Sequence, residues 1–232
     1  MERSVSIIGV GRLGGALALA LSKKNYAVRQ LVAHRKDVSK IAGLISPAPQ
    51  ILSFGELEKI DSEVIFIAAP DALIRATAEK LAEKLKHEPF VFHASGALSS
   101  EILESLQKKN CPTGSIHPLI SVSDSAAGAE NFKNAFFCVE GEPRAVALAE
   151  QIVARLKGKS FSIPTEFKTL YHAAAVTASG HLTALFSVAV EMLADCGLPD
   201  AEAQKILFPL VGSTVKNLAR QTPAQALTGT FA

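Results

Sequence analysis

The fold is decided by the stretch Val5-Ser-Ile-Ile-Gly-Val-Gly-Arg-Leu-Gly-Gly-Ala-Leu-Ala-Leu-Ala20. A short run rich in β-branched residues leads into Gly9-x-Gly11-x-x-Gly14, and helix-forming sequence follows at once. In the βαβ unit that binds a dinucleotide, the first glycine permits a sharp bend, the second lets the backbone approach the diphosphate, and the third lets the helix pack closely on the strand. We therefore predict cofactor contacts, rather than a purely structural turn, at Gly9, Gly11, Arg12, Leu13 and Gly14.

The residues after the second predicted strand indicate which dinucleotide is preferred. An acidic residue about 20 positions past the glycines binds the ribose of NAD, whereas an arginine there accommodates the 2′-phosphate of NADP. The strand predicted over 27–33 ends at His34-Arg35-Lys36, and no carboxylate occurs before Asp37. The planar guanidinium of Arg35 suits a phosphate. We predict NADP(H) as the cofactor, contacted by His34, Arg35 and Lys36; the alternative is a solvated basic turn.

Composition restricts the classes of partner. The 232 residues carry a net charge of +2, with 20% charged and 48% hydrophobic residues, which is an ordinary globular balance and indicates no nucleic-acid partner. Cys111, Cys138 and Cys196 lack the spacing of metal ligands, so no metal site is predicted and reduced thiols are expected. No signal peptide is recognised, which favours the cytoplasm. The final residues lack a helix stop signal, so we expect the native chain to continue beyond Ala232.

One stretch, residues 173–190, contains no Asp, Glu, Lys or Arg and is nearly long enough to span a membrane. Its interspersed Ser, Thr, Gly and His residues favour a buried helix of a globular protein over a membrane span. Small residues there permit close helix packing, and the apolar surface exceeds what one small domain can cover. We therefore predict a homodimer formed through the helical domain.

Strand and helix patterns alternate along the first two thirds of the chain. Apolar strands are predicted near 5–8, 27–33, 51–54, 63–69, 90–94, 115–120, 136–139 and 161–163, with a loop of small residues between 120 and 136. Continuous apolar strands separated by helices indicate an α/β fold with a Rossmann-like, doubly wound, mostly parallel sheet. After Pro164 only helical patterns follow. We predict a dinucleotide-binding domain over 1–163 and an all-helical domain for substrate binding and dimerisation over 164–232.

Candidate site residues lie where predicted strands end, because ligands of doubly wound sheets bind at the carboxyl ends of the strands. Ala69-Pro70, Ser95 and His117 occupy such positions, and we expect Ala69, Pro70 and Ser95 to contact the cofactor. Lys168 and His172 are four residues apart on one face of a predicted helix, and we expect them to face the cleft. The alternatives are a loop hydroxyl for Ser95, a hydrogen-bonded core histidine for His117, and a solvated polar face for the helix.

These residues carry a resemblance that extends over nearly the whole chain. The chain resembles a bacterial family in six segments. They are Gly9-Val-Gly-Arg-Leu-Gly14, His34-Arg35, Phe66-Ile-Ala-Ala-Pro-Asp71, His93-Ala-Ser-Gly-Ala-Leu-Ser-Ser100, Gly114-Ser-Ile-His-Pro-Leu119 and Lys168-Thr-Leu-Tyr-His-Ala-Ala-Ala-Val176. Its members join a Rossmann-like NADP oxidoreductase domain to a helical domain of unknown function. More distantly, the chain is similar to pyrroline-carboxylate reductases, prephenate dehydrogenases and β-hydroxyacid dehydrogenases.

In the hydroxyacid dehydrogenases a catalytic lysine precedes an asparagine by four residues on the first helix after the Rossmann domain. The resemblance implies that Lys168 matches this lysine, while His172 stands at the asparagine position. We expect an NADP(H)-dependent oxidoreductase that acts on a small carbonyl, imine or hydroxy acid. Lys168 would exchange the substrate proton, with His172, His117 and Ser95 assisting. The alternative is a sensor or regulatory protein that binds NADP(H) without hydride chemistry.

Overall fold

A computed structural model describes residues 3–33 and 38–228. The residues predicted to bind the 2′-phosphate, His34, Arg35 and Lys36, lie outside this range. The chain divides into two compact units, one ending at Ala174 and the other covering 175–232.

The first unit alternates strands and helices as the sequence predicts. Its strands are β1 (Ser4–Ile8), β2 (Ala27–Val32), β3 (Gln50–Leu52), β4 (Val64–Ile67), β5 (Phe90–His93), β6 (Thr113–Pro118), β7 (Phe136–Gly141) and β8 (Lys159–Ser162). Its α-helices are α1 (Arg12–Ser22), α2 (Ser39–Ala42), α3 (Asp71–Lys84), α4 (Glu104–Gln107), α5 (Ser125–Asn131) and α6 (Pro143–Arg155), followed by the start of α7 (Lys168–Val176).

All eight strands form one sheet in the order β3-β2-β1-β4-β5-β6-β7-β8. Every neighbouring pair is parallel except β6 and β7, which are antiparallel. Buried apolar side chains form two clusters. One includes residues of α1 and α6, and the other includes residues of α3. The mostly parallel, doubly wound fold predicted from the sequence is confirmed.

The short helix α5 was not predicted, because a run of small residues is typical of a loop. The carboxylate of Asp124 accepts hydrogen bonds from the backbone N–H groups of Ala126 and Ala127, both at 2.9 Å, and so caps the helix. The helix packs on α1 so closely that a Cβ at Gly15 would collide with the Ser125 hydroxyl. Tertiary packing and one cap therefore stabilise a helix whose hydrophobic pattern is too weak to reveal it.

The helix predicted over 173–190 is present within a longer helical stretch made of α7, a π-helical turn (Thr177–His181) and α8 (Leu182–Asp195). It is followed by α9 (Asp200–Leu218), which runs through Pro209, and α10 (Pro223–Ala226). The expectation of a buried helix over 173–190 is wrong for the single chain, since Leu182, Leu185 and Val188 are all exposed. Helix Thr165–Asp195 is long and apolar enough to cross a membrane by length and composition alone, with a mean hydropathy of 1.5.

Candidate functional site

The glycine turn between β1 and α1 has the geometry that its sequence predicts. Gly9 has a φ of +91°, and a Cβ there would lie 2.7 Å from the carbonyl oxygen of Ala68. A Cβ at Gly14 would collide with the carbonyl oxygen of Gly9. Both positions therefore exclude any larger residue, the first for its backbone conformation and the second for the contact between helix and turn.

Gly11 differs from its two neighbours in the motif. Its backbone is extended, with φ near −80°, and a Cβ there would meet no atom of the described chain within 4 Å. Packing and conformation therefore do not require glycine at this position. Gly11 is the N-cap of α1, no described side chain caps this helix, and its first turn contains no acidic residue. The leading N–H groups of an eleven-residue helix are thus available to an anion.

The ends of β4 and β5 adjoin this turn at the carboxyl edge of the sheet. The Ala68 N–H donates to the carbonyl oxygen of Ile8 at 2.8 Å, and the Ala94 N–H donates to that of Ile67 at 3.1 Å. Ala69 is half-buried and Pro70 is exposed, just before α3 begins. A Cβ at Gly9 would lie 2.9 Å from the backbone nitrogen of Ala69, so the end of β4 lies beside the glycine turn.

Ser95 belongs to a self-contained turn after β5. Its hydroxyl oxygen accepts the N–H groups of Ala97 and Leu98, both at 3.1 Å. Its own N–H donates to Nδ1 of His93 at 3.2 Å, while Nε2 of His93 lies 3.1 Å from the carbonyl oxygen of Ser99. Because Nδ1 accepts, the proton of neutral His93 is on Nε2. The arrangement favours the structural alternative for Ser95, a loop hydroxyl that organises its own turn.

Lys168 lies in a polar layer between the sheet and the first turn of α7. Its Nζ donates to the Ser115 hydroxyl at 2.6 Å and lies 3.9 Å from Glu140. The Ser100 N–H and hydroxyl both donate to the Glu140 carboxylate at 2.8 Å. Burial lowers the pKa of the Lys168 ammonium, although Cys138 and Glu140 oppose the shift. The Lys168 side chain is only 2% exposed, so the alternative of a solvated polar face does not hold for this residue.

His117 and His172 converge on a different point, the backbone of Gly96. A Cβ at Gly96 would lie 2.7 Å from Nε2 of His117 and 2.6 Å from Nδ1 of His172. The two rings are 6.1 Å apart at an angle of 77°. Burial, and then the charges of Lys168 and His172, lower the pKa of His117 to about 4, so its imidazole is neutral at pH 7. Nδ1 of His172 is buried and has no hydrogen-bond partner among the described residues.

The predicted catalytic residues therefore form two groups. Lys168 contacts Ser115 and Glu140, whereas His117 and His172 meet over Gly96, which follows Ser95. Sequence reasoning did not single out Glu140 or Tyr171 as site residues. The helical spacing of Lys168 and Tyr171 could have found the tyrosine. No local signal indicates Glu140, because it meets Ser115 only through the antiparallel pairing of β6 and β7.

Comparison with known proteins defines the class of this chain. Residues 1–118 match the Rossmann-like domain family, to which the chain belongs, and residues 135–232 match a domain of unknown function, DUF2520. No curated protein matches the sequence.

Solved structures resemble the chain over nearly its whole length. They include BF3122 from Bacteroides fragilis, with a TM-score of 0.80, 19% identity, and coverage of 98% of this chain and 85% of that one. Protein TM1727 from Thermotoga maritima has a TM-score of 0.74 and 27% identity, covering 97% and 82%. Pyrroline carboxylate reductase from Plasmodium falciparum, solved with NADP bound, has a TM-score of 0.66 and 12% identity, covering 95% and 80%.

Proposed function

We propose that this protein is an NADP(H)-dependent oxidoreductase that acts on a small carbonyl, imine or hydroxy acid. The observation that carries the proposal is Gly11, a glycine that neither packing nor backbone conformation requires. Gly11 is also the N-cap of α1, whose leading N–H groups no described side chain caps, so close approach of a ligand to the backbone gives a physical reason for glycine here. The Plasmodium falciparum reductase, whose fold is similar, binds NADP in its solved structure and supports the same cofactor here.

The residues of the carboxyl edge would hold the cofactor. The diphosphate would be bound by the backbone around Gly11 at the start of α1, with Ala69 and Pro70 alongside. His34, Arg35 and Lys36 would contact the 2′-phosphate of NADP, as their order in the sequence indicates. The bound nicotinamide would supply or accept a hydride.

We assign to His117 the role of a hydrogen-bond donor that orients and polarises the substrate, in place of the proton transfer predicted for Lys168. The Nζ of Lys168 is enclosed by Ser115 and Glu140, whereas Nε2 of His117 faces Gly96 at the carboxyl end of the sheet. Neutral imidazole at pH 7 can donate one hydrogen bond to a substrate oxygen or nitrogen. The charge of Lys168 helps to keep His117 neutral, so Lys168 acts as a positioning residue.

A nucleotide titration tests the cofactor assignment. NADPH, NADH and NADP⁺ would be titrated into the wild-type protein and into Arg35→Ala, with Arg220→Ala in the helical domain as a matched control. We expect Arg35→Ala to weaken NADPH binding about tenfold or more, since charge-assisted hydrogen bonds are lost, and to leave NADH binding unchanged. Failure of all three nucleotides to bind the wild-type protein would overturn the proposal.

Turnover separates the oxidoreductase from the alternative, a non-catalytic sensor of NADP(H). The sensor has no need for two imidazoles that converge at the strand ends, so their convergence over Gly96 favours the enzyme. NADPH oxidation would be followed with a panel of small keto acids, aldehydes and cyclic imines. Tight NADPH binding without turnover of any of these substrates would favour the sensor.

We also propose that the helical domain forms a homodimer. Its helices α8 and α9 expose large apolar side chains, including Leu185, Met192, Phe208 and Leu210. Several large exposed apolar side chains on neighbouring helices are typical of a subunit interface. Closed, two-fold symmetric pairing is the commonest way to cover them, with an interface above about 2,000 Å². A second copy is the partner that we propose, rather than nucleic acid or a membrane.

A further inference from the structure

Tyr171 lies next to His117, on the side of its ring nitrogen Nδ1. Its hydroxyl is 2.6 Å from Nδ1 of His117, and the two rings pack edge to face with centroids 5.6 Å apart. The Tyr171 ring also packs against Phe161, with centroids 5.9 Å apart. These ring contacts hold the phenol in place while its hydroxyl contacts the imidazole.

The protonation states of Tyr171 and His117 decide which of the two donates the hydrogen bond between them. Burial raises the pKa of the Tyr171 hydroxyl above its ordinary value and lowers the pKa of His117. Both groups are therefore neutral at pH 7. A phenol is the more acidic partner and an imidazole nitrogen the more basic one, so the hydrogen bond runs from the Tyr171 hydroxyl to Nδ1.

We propose that Tyr171 is a positioning residue that holds His117 in the tautomer protonated on Nε2. Because Nδ1 accepts from the phenol, the single ring proton is on Nε2, the nitrogen that faces Gly96. His117 then presents a hydrogen-bond donor, and the substrate atom beside it is an acceptor, such as a carbonyl or carboxylate oxygen or an imine nitrogen. The statement about the substrate atom rests on the proposed function, whereas the assignment of the tautomer is independent of it.

The tautomer is measured on the protein alone by nuclear magnetic resonance. Histidine labelled with ¹⁵N gives different nitrogen shifts for protonated and unprotonated ring positions. We expect wild-type His117 to show an unprotonated Nδ1 and a protonated Nε2. In Tyr171→Phe, which keeps the ring and removes the hydroxyl, we expect these shifts to move toward a mixture of tautomers.

The chain contains one other tyrosine, which provides a matched control. Tyr26 packs under the Arg155 guanidinium, so Tyr26→Phe removes a hydroxyl without touching His117. Its His117 shifts should equal those of the wild type. A wild-type His117 protonated on Nδ1, or identical shifts in wild type and Tyr171→Phe, would overturn the proposal. The wild-type spectrum decides the direction of the bond even if the variant does not fold.

Kinetics test the consequence for substrate. Once a substrate is found, Tyr171→Phe should lower kcat at least about tenfold and leave the Kd of NADPH unchanged, since the donor and not the cofactor site is altered. An unchanged kcat would show that the tautomer does not serve catalysis. If no substrate is turned over, the proposed function fails while the tautomer assignment stands on its spectrum.

Discussion

At the scale of single residues, Gly11 and Gly14 share one turn but face different surroundings. A Cβ at Gly14 would collide with the backbone of Gly9, whereas at Gly11 it would meet nothing in the described chain. We expect Gly14→Ala to lower the free energy of unfolding by more than about 2 kcal/mol. Gly11→Ala should stay within about 0.5 kcal/mol of wild type and weaken NADPH binding at least about tenfold. Urea unfolding and NADPH titration measure the two quantities.

Gly212 offers the control for Gly11. It lies in α9, and a Cβ there also meets no atom of the described chain within 4 Å. Gly212→Ala should leave NADPH binding unchanged, because Gly212 belongs to the helical unit and not to the glycine turn. Equal NADPH affinity in Gly11→Ala and wild type would contradict the diphosphate site at this turn.

His93 makes stability depend on pH. Burial, and then the charge of Lys168, lower its pKa to about 3. Since the pKa of His93 in the unfolded chain is about 6.5, acid protonates the unfolded state first. Its contribution to stability is therefore complete above pH 6.5 and is lost as the pH falls toward 3. We expect the free energy of unfolding to fall by about 2 kcal/mol between pH 7 and 5 from this residue, measured by urea unfolding.

This pH dependence is tested with the variant His93→Gln, and a second variant, His181→Gln, is the control. His181 is exposed in the helical unit, so its replacement controls for the loss of a histidine that is not part of the turn at Ser95. His93→Gln should be less stable at pH 7, because the turn at Ser95 loses an acceptor, and should show a smaller slope. A slope equal to that of wild type would refute the assignment.

At the scale of elements, one buried ion pair joins α7 to β7. Glu140 lies opposite Ser115 in the antiparallel pair of β6 and β7, and Lys168 contacts both residues. We expect Lys168→Met to lower the free energy of unfolding by about 3 kcal/mol, because it leaves the Glu140 carboxylate buried without a counter-charge. Urea unfolding at pH 7 measures the loss.

A double variant identifies the cause of that loss. Glu140→Gln in the Lys168→Met background removes the unpaired charge and should restore part of the stability. Lys23→Met is the control, since it breaks an exposed pair with Glu130 and should unfold close to wild type. If Lys168→Met were as stable as Lys23→Met, the polar layer would not hold α7 to the sheet.

At the scale of the whole molecule, the exposed apolar surface of the helical domain predicts association. We expect light scattering at micromolar concentration to give the mass of a dimer. Leu185→Glu should give the mass of a monomer, because a charge at a 69% exposed apolar position would be buried in the interface. Leu44→Glu is the matched control, since Leu44 is 67% exposed in the first unit and should leave the dimer intact. A monomeric wild-type protein would contradict the interface.

The sequence by itself determined the class of fold and the glycine turn. Continuous apolar strands, alternating helices and the spacing of three glycines are local features, and each follows from backbone sterics and burial at one position. The change to helical patterns after Pro164 is equally local. The order of basic residues after β2 also predicts a cofactor preference before any contact is known.

Only the tertiary structure decided how the polar residues pair. Lys168, His172 and His117 look equivalent in the sequence, because spacing states which residues share a face and not what lies opposite them. The antiparallel register of β6 and β7 places Glu140 beside Ser115, and this pairing encloses Lys168 while Tyr171 meets His117. Long-range register brings together residues from separate segments of the chain. The burial and protonation state of each side chain follow from that register.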